Sequence, residues 1–204
     1  MIKITPNAAF KHLQKSDPVM AGLVNIHGPS LANIYTRNRT SSFHILIRTI
    51  INQQLSIKAG QTIVSRLLEK QGGKSFKADN LHQLKDHTLR NCGISENKLH
   101  YIRTLAEAVI NGELNFRLLK TLDDDAIIGT LIKYPGIGPW TAELFLINAL
   151  HRPDILPLGD LILRKSMQRH YQLSTDTKEH IYREIAEAWR PYRTIASQFL
   201  WSGF

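Results

Sequence analysis

The residues whose types and spacing could do chemistry are an aspartate opening one helix, a glycine-proline turn opening another, and a tryptophan two residues past the last glycine of that turn. Asp160 stands directly before the helical pattern of Leu161 to Tyr171. The positive end of that helix would help keep the carboxylate ionised at neutral pH, as an electrostatic or basic catalyst requires. The same placement suits a plain N-cap, with Arg164 one turn on as an ion-pair partner. Pro135-Gly136-Ile137-Gly138-Pro139 sits between two helical patterns, and its glycines can take φ > 0. A turn this tight can aim successive backbone N–H groups outward, beside the positive end of the helix that Pro139 starts, which makes a nest for phosphate. Glycines that merely let two helices pack would leave the same spacing, so the turn alone leaves both readings open.

Other clusters exclude more than they offer. Cys92 is the only cysteine, which excludes an internal disulfide, a multi-cysteine zinc site and a cysteine-ligated iron–sulfur cluster. His82, His87, His100, His151, His170 and His180 show no HExxH or other paired-ligand spacing. Asp123-Asp124-Asp125 opens the helical pattern of Ala126 to Tyr134, where three acids suit the helix dipole better than they suit a metal.

The elements that must position these residues are helical almost throughout, with no sustained period-two alternation, so the chain is expected to be all-α. Thr5 and Pro6 start a first helix, and Asp17-Pro18 start a second that Gly28-Pro29 should stop. After the basic loop of Thr36 to Ser42, a helix from Phe43 to about Asn52 carries Phe43, Leu46, Ile47 and Ile50 inward. It breaks at Asn52-Gln53-Gln54-Leu55-Ser56, a protruding knuckle, or a junction with Leu55 packed inward. Ser56 caps the next helix, whose apolar positions are Ile57, Ile63, Val64, Leu67 and Leu68, and Gly72-Gly73 end it. One shorter helix from Asp79 to Asn91, closed by Cys92-Gly93, precedes a helix capped by Ser95 that runs to Gly112. The last two patterns cover about Thr177 to Trp189 and, past Arg190-Pro191, the stretch to Trp201.

A chain of 204 residues with 43% hydrophobic content can bury a real core. No apolar run approaches the length of a membrane span, and the first residues lack the apolar segment of a signal peptide, so a soluble intracellular protein is expected. The 26 Lys+Arg against 17 Asp+Glu give a net charge of +9, which draws polyanions and raises the prospect of nucleic acid without identifying it.

LxxYPGIGPWTAxxFL from Leu131, followed by Gly159-Asp160, closely resembles the signature of the helix-hairpin-helix DNA glycosylase superfamily, and within it the 3-methyladenine DNA glycosylase II type. IINQQLSIKAG from Ile50 to Gly60 resembles that family's wedge-bearing junction, and EAWRPYRTIASQFLW from Glu187 to Trp201 its C-terminal helix. The resemblance covers nearly the full chain. It implies one domain over 1–204 with the helix-hairpin-helix at about 126–150, built as two interlocked helical lobes with the active-site cleft between them. Some members carry an extra N-terminal β-sheet lobe, for which this chain has no sequence.

The resemblance implies removal of alkylated purines from double-stranded DNA, with Asp160 as the catalytic carboxylate. Trp140, Leu144 and Trp201 would form the base pocket, since an indole face attracts the cationic ring of a purine methylated at N3 or N7. A tyrosine stands at the position of Leu144 in some relatives. Gly136, Ile137 and Gly138 would grip the DNA backbone, while Gln54, the closer match to the family wedge, and Leu55 would fill the gap left by a flipped base. Lys58 and Lys165, with Arg37 and Arg39, are candidates for phosphate contact. The carbonyls of Ile132, Tyr134 and Ile137 would hold a structural Na+ or K+, no other cofactor being required and no iron–sulfur cluster expected. Trp140 stands where lyase-competent relatives place a nucleophilic lysine, so strand cleavage is not expected. The family also implies a monomer, cytoplasmic and nucleoid-associated, or nuclear in a eukaryote. The competing readings are a non-enzymatic helix-hairpin-helix DNA-binding module and a glycosylase for deaminated or oxidised bases.

Overall fold

The computed structural model describes residues 6–31 and 40–204. Thirteen helices and no strand occur among the described residues, so the expected all-α class holds. In chain order they are α1 (Pro6–Ser16), α2 (Pro18–Leu31), α3 (Ser42–Asn52), α4 (Ile57–Gln71), α5 (Ala78–Gln83), α6 (Asp86–Asn91) and α7 (Glu96–Ile110). There follow α8 (Phe116–Leu119), α9 (Asp124–Leu131), α10 (Pro139–Asn148), α11 (Leu161–Tyr171), α12 (Glu179–Glu187) and α13 (Arg193–Ser202). Thr5, Arg37 and Arg39 lie outside the described residues. The chain divides into two compact units: residues 6–31 with His151–Phe204 form the first, and residues 40–150 the second.

In the first unit, α2 packs on α13, and α13 on α11. Asp17, 6% exposed, organises this unit. Its Oδ1 caps α2 by accepting from the amides of Val19 and Met20, and its Oδ2 accepts from the Tyr171 hydroxyl at 2.7 Å and Trp189 Nε1 at 2.9 Å. A buried carboxylate is tolerated only when its lone pairs are so engaged. Burial, reinforced by Asp17, pushes the Tyr171 phenol far above its ordinary range. Gly28-Pro29 do not stop α2. The proline sits in the last turn, where the helix gives up one i→i−4 bond, and buried Leu31 carries it on to its end.

In the second unit, α3 packs against α4, α7 and α10. Phe43, Leu46, Ile47 and Ile50 are buried as expected, and Ser41 caps the helix by accepting from the His44 amide. The expected single helix from Asp79 to Asn91 is two, α5 and α6. Arg103, from α7, reaches the carbonyls of Leu81, His82 and Leu84 and the carboxylate of Asp86, so a distant guanidinium closes α5 and restarts the chain at α6. That contact holds the Asp86 carboxyl below its usual range. Asp123 caps α9 by accepting from the Ala126 amide, with Asp124 and Asp125 in the first turn, as the capping reading requires. α9 ends at Leu131 rather than Tyr134 because the residue before a proline disfavours helical backbone. Two tight turns follow, Tyr134 N–H to Leu131 O and Ile137 N–H to Tyr134 O.

Candidate active site

Asp160 and Trp201 meet within the first unit. Asp160 is the N-cap of α11: its Oδ1 accepts from the Leu163 amide at 2.8 Å and from Trp201 Nε1 at 3.2 Å. The capping reading is therefore correct, and it leaves the carboxylate oriented and half-buried rather than hidden. Ser166, on the inner face of α11, donates to the Leu200 carbonyl at 2.6 Å, which fixes α11 against α13 and holds the Asp160–Trp201 pair in register. Leu161 and Ile162, beside Asp160, are 54% and 40% exposed, and Lys165 is exposed on the same helix.

The hairpin, Trp140, Leu144 and the knuckle belong to the second unit. Gly136 has φ +81, and a Cβ there would stand 2.2 Å from the Tyr101 ring, so both backbone conformation and space demand glycine. Gly138 differs: its φ is −91 and a Cβ would meet nothing within 4 Å among the described residues. Of the two glycines able to take positive φ, Gly136 alone does so. Ile137 points inward at 5% exposure and its amide bonds Tyr134 O, so it contributes packing and not an outward N–H. Gly138 has no side chain to cap α10, and Pro139 fills the first helical position. Trp140 and Leu144, one turn apart, are half-buried, whereas Thr141, Ala142, Phe145, Leu146 and Ile147 form the buried face of α10.

The knuckle protrudes. Gln54 is exposed at φ +57, Leu55 is 39% exposed rather than packed inward, and Lys58 is exposed. Ile57, expected on the apolar face of α4, is instead 80% exposed, because α4 starts at the tip of the knuckle before its buried face begins. Sequence reasoning missed two residues that fix this corner. Gln53 Nε2 donates to Gly136 O at 2.9 Å and Thr141 Oγ1 at 3.0 Å, and Lys98 Nζ donates to the carbonyls of Ile51 and Gln53, both at 2.8 Å. The partners lie between 45 and 88 residues apart, beyond any local signal.

The carbonyls of Ile132, Tyr134 and Ile137 follow the C-terminal end of α9, where helix carbonyls run out of intrahelical partners. Neutral backbone oxygens are the donors that a monovalent cation takes, so these residues fit one. Among the described residues no cluster of three His, Cys, Asp or Glu could hold a metal, and no helix is long and apolar enough to cross a membrane. A cavity of about 500 Å³ lined by Arg66, Lys70, His87 and Cys92 includes none of the expected site residues. Burial pushes the Cys92 thiol up, which leaves it a poor nucleophile at neutral pH.

Residues 47–191 match the model of the HhH-GPD superfamily of base excision DNA repair proteins, and the chain belongs to that family. It is 29% identical to DNA-3-methyladenine glycosylase 1 of Schizosaccharomyces pombe, over 93% of this chain and 84% of that one. It is 30% identical to the YfjP protein of Bacillus subtilis over 79% of its own length, but spans only 58% of that relative. The solved structure of the S. pombe 3-methyladenine DNA glycosylase Mag1 in complex with abasic DNA is similar with a TM-score of 0.81, at 28% identity, covering 96% of this chain and 95% of that one.

Proposed function

We propose that this chain acts as a monomeric, single-domain, monofunctional DNA glycosylase of base excision repair, which hydrolyses the N-glycosidic bond of alkylated purines in duplex DNA. The observation that carries the reading is the Asp160 carboxylate, oriented by two N–H donors at the mouth of α11. As the bond from C1′ to the purine nitrogen breaks, positive charge develops on the sugar ring. Asp160 stabilises that charge and directs the water that attacks C1′. A carboxylate pre-set by Leu163 and Trp201 needs little reorganisation to do so.

Trp140, with Leu144 one turn on, offers the extruded base an indole face, and Trp201 beside Asp160 offers another; such faces favour the cationic rings of 3-methyladenine and 7-methylguanine over neutral purines. Gln54 and Leu55 occupy the space the base leaves. Gly136 and Gly138 carry the backbone grip, together with the amides that begin α10, and the open space over Gly138 admits a phosphate that a side chain would obstruct. Lys58 and Lys165 add phosphate contacts, and a Na+ or K+ on the carbonyls of Ile132, Tyr134 and Ile137 would add positive charge at the hairpin. The protein works where the DNA is, in the nucleoid or, in a eukaryote, the nucleus.

The test is incubation with DNA carrying 3-methyladenine and with an otherwise identical undamaged duplex. Free base released only from the damaged duplex, leaving an intact abasic strand and no borohydride-trapped protein, is the expected result. Binding without release would make the protein a DNA-binding module, and trapping would make it a lyase.

A further inference from the structure

We propose that Gln53 and Lys98 are positioning residues for base extrusion: they join the exposed knuckle at Gln54 and Leu55 to the hairpin at Gly136, so that the backbone grip and the wedge act as one piece. The proposal rests on the glycosylase reading of the same site.

Helix α3 ends at Asn52, and its last carbonyls need partners that the helix cannot supply. Lys98 supplies them for Ile51 and Gln53, placing its ammonium at the negative end of the α3 dipole. Burial lowers the Lys98 pKa, in keeping with an ammonium held inside the corner rather than out in solvent. With Gln53 O held from below, the chain turns at φ −52, ψ 131 and passes into the left-handed region at Gln54, a conformation unfavourable for a non-glycine residue. Such backbone persists only where its surroundings over-determine it, and it is the step that lifts Gln54 and Leu55 clear of the surface. Helix α4 then returns so close that a Cβ on Gly60 would stand 1.9 Å from Asn52 Oδ1, which closes the corner from the other side.

The Gln53 amide joins this corner to the anchor. One nitrogen donates both to Gly136 O, in the middle of the hairpin, and to Thr141 Oγ1, which is 2% exposed and follows Trp140 in α10. A wedge that presses on a stacked base must be braced against whatever holds the strand. Beyond the packing of α3 on α10, the Gln53 side chain supplies the hydrogen-bonded brace, and it also meets the first turn of the helix that carries Trp140. Without it the hairpin could still bind backbone, and the pocket could still accept a base already outside the stack. What would be lost is the work of driving a paired base out.

The test compares wild type, Gln53→Met and Lys98→Met on the same alkylated purine, once paired in a duplex and once in a single-nucleotide bulge where extrusion costs least. The expected outcome is a fall of about tenfold or more in single-turnover rate on the paired lesion, with a loss under about threefold on the bulge and near-unchanged affinity for undamaged duplex. Equal losses on both substrates would reduce the two residues to plain structural parts, and no loss on either would remove the role altogether. A second readout needs no excision: 2-aminopurine in the bound duplex should brighten with wild type and stay dim with Gln53→Met at equal occupancy. Wild type inactive on both lesions would overturn the glycosylase reading, and the fluorescence would still decide the brace. Brightening equal to wild type would overturn it.

Discussion

Gly136 and Gly138 stand two residues apart and do opposite work. Gly136 is demanded by the fold, through φ +81 and the Tyr101 ring, whereas a Cβ on Gly138 would meet nothing within 4 Å among the described residues. Gly136→Ala should therefore destabilise the protein by at least about 2 kcal/mol. Gly138→Ala should cost less than about 1 kcal/mol, the price of a poorer N-cap, and should instead weaken DNA binding by about tenfold. Thermal melts and a duplex titration on both variants separate the two effects. At this scale the sequence was readable for what a residue does to its own neighbours. Asp160 as a helix-opening acid and Asp123 as a cap followed from position alone, and both make the expected bond to an amide three residues on. It was unreadable where one residue serves another far along the chain. The bond from Trp201 to Asp160 spans 41 residues and that from Gln53 to Gly136 spans 83, and no periodicity encodes either.

At the scale of elements, local signals set most helix ends, and tertiary contacts moved the others. Glycine endings at Gly72, Gly93 and Gly112 all adopt positive φ, as their places after helices implied. The split between α5 and α6 depends on Arg103, and the short α8, capped by Asn115, was too brief to show a period. Helix α3 carries a further long-range dependence. His44 is 5% exposed, and its Nδ1 accepts from the Phe76 amide at 3.0 Å, which only an imidazole unprotonated at that nitrogen can do. Burial first, and then Arg48, hold its pKa below the free value of 6.5. As pH falls through 6.5 the unfolded chain takes up a proton that the folded one refuses, so stability falls toward acid. Melting temperature should drop between pH 7 and pH 5, and His44→Asn, which keeps an acceptor and cannot be protonated in that range, should flatten part of the slope. An unchanged slope in that variant would show that His44 does not govern it.

For the whole molecule, a net charge of +9 draws polyanions such as DNA, and the proposed function assigns the chemistry to Asp160. The two are separable. Asparagine caps a helix about as well as aspartate, and its oxygen can accept from Leu163 and Trp201 as Oδ1 does. Asp160→Asn also removes one negative charge, so affinity for DNA should hold or rise. The most direct measurement is the single-turnover rate of base release by Asp160→Asn on a duplex carrying one alkylated purine, taken beside its melting temperature and its affinity for the same duplex. A rate lowered by about a hundredfold or more, with fold and binding intact, is predicted. Release at the wild-type rate would show that Asp160 is only a cap, and the catalytic assignment would fall.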